Sequence, residues 1–210
     1  NDNGMSSLLT EEGTAYDLNI KMFNKMQQTI TGWPGGKPNA DDTYRPERST
    51  PERKRIIIFS PHPDDDVISM GGTFDRLVEQ GHDVHIAYQT SGNIAVSNEE
   101  ALKFAEISMG LNSNSSEAES IINFLKSKAN NDIDSLEVRK LKGLIRRRES
   151  YAATRYIGLK DENTHFLDLP FYETGRVKKN PLGHEDVAIV AAIIAKIKPH
   201  QVFAAGDLAD

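Results

Sequence analysis

Arg55-Ile56-Ile57-Ile58-Phe59-Ser60-Pro61-His62-Pro63-Asp64-Asp65-Asp66 is the stretch from which the fold is read. Ile56 to Phe59 are a short continuous run of β-favouring apolar residues, the pattern of a strand buried on both faces of a parallel sheet. A helix is predicted next, with Val67, Met70, Phe74, Leu77 and Val78 on one face and Gly81 as its stop. Further on, Val84 to Tyr88 read as a second strand, residues 98–109 and 115–129 as helices, and Ser135 as the cap of a long helix reaching Ile157. A strand at His165–Leu167, a helix at Glu185–Lys196 and a strand at Gln201–Ala204 complete the pattern. Strands alternating with helices predict an α/β domain with a mainly parallel sheet.

Upstream the character changes. Residues 14–30 predict an amphipathic helix through Tyr16, Ile20, Phe23, Met26 and Ile30, and residues 31–54 carry four of the nine prolines, a linker composition. The expected division is therefore a helix and linker over 1–54, belonging to an upstream domain, and the main domain over 55–210. The 210 residues include no cysteine, so disulfides and thiolate metal sites are excluded and any metal must be held by His and carboxylate. A net charge of −6 with no dense basic patch argues against nucleic acid as partner. No apolar run reaches membrane-spanning length and residues 1–20 lack a signal-peptide core, which points to the cytoplasm. The sequence leaves oligomeric state open.

His62, Asp64, Asp65 and Asp66 sit where the backbone leaves the first strand for a helix amino terminus, in a turn stiffened by Pro61 and Pro63. Three adjacent carboxylates repel one another. The helix terminus offsets at most ~1 kcal/mol for an exposed carboxylate, whereas a divalent cation offsets far more. His62 and one carboxylate supply two zinc-type ligands, and a second carboxylate remains to take a proton from water. Caps and a loop histidine are the structural alternative.

The segment Ile56 to Thr73 resembles the opening signature of the PIG-L/LmbE-like family of zinc-dependent N-acetylglucosaminyl deacetylases, and the likeness covers roughly Arg55 to Asp210. The resemblance implies a Rossmann-like fold with helices on both sheet faces. It also implies Zn2+ bound by His62 and Asp65, with Asp64 as general base. Where the family usually has Glu this chain has Asp66. The family's third ligand is a His just after a strand like Gln201–Ala204, so it is expected beyond Asp210, and this chain alone is expected to hold zinc weakly and to be inactive. The helix and the Trp33-Pro34-Gly35-Gly36-Lys37-Pro38 linker resemble the junction in bacterial proteins that fuse a glucosamine-6-phosphate deaminase-like domain to a domain of this family. A non-catalytic accessory domain of such a fusion is the alternative function.

Helical spacing from Leu141 and Ile145 places Arg148 on an apolar stripe, where it either contacts an amino-sugar substrate or pairs with a structural carboxylate. Asn93, in Thr90-Ser91-Gly92-Asn93 after the second strand, and Asp168 after the third fall at the strand ends where a ligand binds in open parallel sheets. They are the other expected substrate contacts, with a simple turn as the plainer reading. His184 is the remaining candidate ligand within the chain. His82, His85, His165 and His200 show no ligand spacing.

Overall fold

The computed structural model describes residues 9–11, 13–29, 53–129, 132–174 and 178–204. The linker expected over 31–54 lies almost wholly outside them, as does the Trp33 to Pro38 segment. Helix α1 spans Ala15–Thr29, and its Tyr16 and Ile20 are exposed. The side chains of Phe23 and Met26, and Ile30 as a whole, are outside the described set.

Strand β1 spans Arg55–Ser60 and is buried along five of its six positions. It earns that burial by lying inside a four-stranded sheet of order β3-β2-β1-β4, with β2 at Asp83–Tyr88, β3 at Thr164–Phe166 and β4 at Gln201–Ala204. Every pairing is parallel. Ile56 faces Val84 on one side and Gln201 on the other, and Ile86 faces Thr164. Successive residues point to opposite faces, and the core divides accordingly. Ile56 and Ile58 pack with Val84, Ile86 and Tyr88 beneath Phe74 and Leu77. Ile57 and Phe59 pack with Ala87 beneath Ile193 and Ile197. Helices thus cover both faces: Phe74 and Leu77 belong to α3 (Gly71–Glu79), and Ile193 and Ile197 to α7 (His184–Ile197). The fold is α/β and Rossmann-like.

The single helix expected from Val67 to Val78 is two: α2 at Asp65–Ile68, then α3. Met70, at φ −147° and ψ 23°, leaves the helical backbone between them. The phase of the apolar stripe is reset there, so Phe74 and Leu77 are fully buried while Val67 is 43% exposed.

Helices α4 (Asn98–Leu111), α5 (Ser116–Ser127) and α6 (Leu136–Ile157) all begin on a serine whose hydroxyl accepts a backbone N–H of the first turn: Ser97 from Glu100, Ser115 from Ala118 and Ser135 from Val138. Each such cap contributes ~1 kcal/mol. Ala105, Ile121 and Val138 form a small core of their own between these helices, separate from the sheet. A buried ionic clamp sits alongside. Lys142 on α6 donates to Asp134 at 2.8 Å and to Asn98 at 2.7 Å, and Lys128 pairs with the other Asp134 oxygen. Among the described residues no helix is long and apolar enough to cross a membrane.

Candidate active site at the carboxyl ends of the strands

The loop after β1 is fixed from below. The Ser60 hydroxyl donates to the His62 carbonyl at 2.6 Å and accepts from the Asp66 N–H at 3.0 Å. Thr90, just past β2, donates to the Pro61 carbonyl at 2.8 Å. Asp66 is 1% exposed, and the Tyr88 hydroxyl donates to it at 2.8 Å. Burial pushes the Asp66 carboxyl up, against the lowering pull of the hydrogen bond from Tyr88. Burial and the neighbouring Asp66 charge likewise push the Tyr88 phenol up, so it keeps its proton and donates. The shorter carboxylate at position 66 is therefore a structural anchor tying the loop to β2. Sequence reading missed Tyr88 in this role because its alternation with Val84 and Ile86 marks only a core position.

With that floor in place, His62 and Asp65 converge. His62 Nδ1 lies 3.2 Å from Asp65 Oδ2, which also accepts the His62 backbone N–H at 2.8 Å. Two lone pairs this close need a shared cation, either a proton or a metal ion. Neighbouring ligands of a tetrahedral zinc with bonds of ~2.0–2.1 Å stand roughly 3.3 Å apart, so the pair fits such an ion. Both side chains remain partly open, at 40% and 30% exposure. Among the described residues no group of three His, Cys, Asp or Glu able to hold a metal comes together. His184, the remaining candidate, is exposed at the first position of α7. His82 and His200 accept the backbone N–H groups of Lys54 and Arg55 at the opposite end of the sheet, and His85 and His165 contact each other at 3.0 Å.

Asp64 is held by a residue whose place in the basic run Arg146-Arg147-Arg148 predicts only a solvated helix face. The Arg146 guanidinium, from the middle of α6, lies 2.9 Å from Asp64 Oδ2 and 2.8 Å from Glu149 Oε2, and it donates to the Pro63 carbonyl at 3.3 Å. Arg148 is not on an apolar stripe. It is exposed, and its guanidinium lies 5.6 Å from the Tyr151 ring centroid. The buried face of α6 includes Lys142, Gly143, Ser150 and Thr154, so apolar spacing does not mark it.

Asn93 is buried, and its amide donates to Ser91 Oγ at 2.7 Å and to Glu173 Oε2 at 2.9 Å. Asp168 stands at φ +45° and pairs with Arg147, while its Oδ1 is buried with no hydrogen-bond partner among the described residues. Burial raises the Asp168 carboxyl and the Glu173 charge adds to the rise, against the pull of Arg147. Ser91, Arg139, Arg147, Asp168 and Glu173 line a cavity of about 400 Å³. Glu173 carried no signal in the sequence beyond its place in the loop after β3.

Gly92 joins the two halves. Its φ is +64°, and a Cβ there would stand 2.7 Å from Pro63 Cδ, between His62 and Asp64. Gly92→Ala is expected to cost ~1–3 kcal/mol of stability from the left-handed backbone and to weaken divalent-ion binding through displacement of Pro63. Urea denaturation and metal titration check both, and wild-type values on both would show the close approach to be dispensable.

The family model described as GlcNAc-PI de-N-acetylase, PIG-L, matches residues 57–210. The chain belongs to the PIG-L family. A Bacteroides thetaiotaomicron protein named as glucosamine-6-phosphate deaminase-like is 56% identical over 219 residues, an alignment covering all of this chain and 33% of that relative. The chain thus spans about a third of the length of the curated relative it matches. The PIG-L match begins within β1, so His62, the three aspartates and Arg146 all fall inside it.

Proposed function

We propose that this PIG-L domain hydrolyses the N-acetyl amide of an N-acetylglucosamine-type amino sugar, releasing acetate and the free amine. The observation that supports it is the 3.2 Å approach of His62 to Asp65 with Asp64 held alongside by Arg146. His62 and Asp65 would hold a divalent ion, zinc by ligand type, which would supply Lewis acidity toward water and the acyl carbonyl. Asp64 takes a proton from the attacking water and returns it to the departing amine. Arg146 fixes the Asp64 carboxylate, and Asp66, Ser60 and Tyr88 fix the loop that carries all three. Asp168, through its unpartnered oxygen, and the Asn93–Glu173 pair would read sugar hydroxyls, a task that Arg146 and Arg147 are better placed to share than Arg148.

The test is acetate release from N-acetylglucosamine and its 6-phosphate by the whole protein, paired with metal analysis. His62→Ala is expected to lose activity and bound metal together, by more than the ~10–100-fold that outer partners of a ligand cost. Full activity in the metal-free protein or in His62→Ala would overturn the proposal. The relative's name favours a second reading, an accessory domain of a deaminase-like fusion, and absence of acetate release from the metal-loaded whole protein would select it.

A further inference from the structure

A second cavity, of about 510 Å³, opens directly beside His62, and Thr90, Tyr172, Lys179 and Leu182 are among its walls. The Tyr172 ring forms one wall. Its centroid stands 5.8 Å from the His62 ring centroid, with the two rings inclined at 66°. The ring face carries Lys179, whose Nζ lies 3.5 Å from the centroid. The segment bearing Tyr172 is pinned to α7, because the buried Asp186 carboxylate accepts the N–H groups of both Phe171, at 3.0 Å, and Gly183, at 2.7 Å.

Lys179 forms no ion pair with a carboxylate among the described residues. Glu173 acts on it only through space, since the Glu173 oxygens accept from the Ser91 N–H at 3.2 Å and the Asn93 amide at 2.9 Å. Burial pulls the Lys179 ammonium down, with Glu173 opposing. A partly buried cation whose partner among the described residues is an aromatic face is under-compensated, and an arriving anion regains what desolvation took.

We propose that Lys179 receives an anionic oxygen group, phosphate or carboxylate, carried by the amino-sugar substrate whose amide lies at His62. The proposal rests on the deacetylase reading for the position of the amide. It makes the substrate a charged amino sugar, and it makes Lys179 a specificity residue in the same cavity as His62.

The experiment compares N-acetylglucosamine with its 1-phosphate, its 6-phosphate and the corresponding 6-carboxylate, using the whole protein as wild type, Lys179→Met and Lys179→Arg. Turnover and calorimetric binding are both measured. The expected result is that one anionic sugar is preferred over the neutral sugar by about tenfold, the worth of one charged hydrogen bond. That preference should appear in KM and in Kd, vanish in Lys179→Met and survive in Lys179→Arg. Which anionic sugar wins separates phosphate from carboxylate. Equal handling of neutral and anionic sugars by wild type overturns the assignment and leaves the deacetylase reading standing, and so does a preference that Lys179→Met retains. Tighter anionic binding through Lys179 without any acetate release would do the reverse.

Discussion

Replacing Asp64 by Asn is expected to lower acetate release by ~10²–10⁴-fold, the worth of a positioned general base, while bound metal stays at the wild-type level. The substitution keeps the shape of the side chain and removes only its capacity to take a proton. Arg146 loses one charge partner but retains Glu149 at 2.8 Å and the Pro63 carbonyl at 3.3 Å, so the loop is not released. Asp65→Asn is the informative comparison. Its oxygen is the one that meets His62 and the His62 backbone N–H, and its loss should empty the site of metal as well as activity. Metal analysis beside single-turnover kinetics distinguishes the two variants. Equal metal loss in both would show that the roles of Asp64 and Asp65 are wrongly divided.

The second large effect concerns stability. Asp134→Asn is expected to destabilise the fold by ~3–5 kcal/mol, the cost of leaving buried charge uncompensated. Lys142 and Lys128 are only 5% and 10% exposed, and both ammonium groups rely on Asp134. The same clamp fixes a pH dependence. Burial alone would raise the Asp134 carboxyl, but hydrogen bonds from Lys128 and Lys142 outweigh it and hold the group below the usual range. Its contribution is therefore complete above the unfolded value of about 3.9 and is lost as pH falls through the lower folded value. Urea midpoints measured across that acid window should fall for wild type and stay flatter for Asp134→Asn. A loss no larger than the ~1 kcal/mol of an exposed ion pair would show that the two lysines find other partners.

The sheet was legible because β1 is buried on both faces and so reads as unbroken Ile-Ile-Ile-Phe, and because Gly81 and Ser135 punctuate the chain at element ends. The candidate loop was legible for the same reason, as four polar residues placed where a buried strand gives out. What could not be read was helix phase. Arg146, Arg147 and Arg148 are consecutive, and which of them faces the loop is set by contact with Pro63 and Gly92, residues distant in sequence. Periodicity selected Arg148 through Leu141 and Ile145, yet Arg148 is exposed and the buried face is filled out by Lys142, Ser150 and Thr154. The break at Met70 was hidden likewise, since no proline marks it. Tyr172, Glu173 and Lys179 lie in a loop whose shape depends on Asp186, and a loop held by one buried carboxylate leaves no periodic trace.

Helix α6 belongs to two bodies at once. Its first turns share the small cluster of Ala105, Ile121 and Val138, and its last residues, with Leu159 beyond them, pack on the sheet core. Arg146 sits between. The two clusters share no side chain, so each can open as a cooperative unit of its own, with α6 common to both. The loop of His62 to Asp66 is thus tied to the sheet through Ser60 and Tyr88, while its Asp64 is tied to a helix that the smaller cluster shares. The ionic clamp at Asp134 braces the start of that same helix through Lys142, one turn before Arg146.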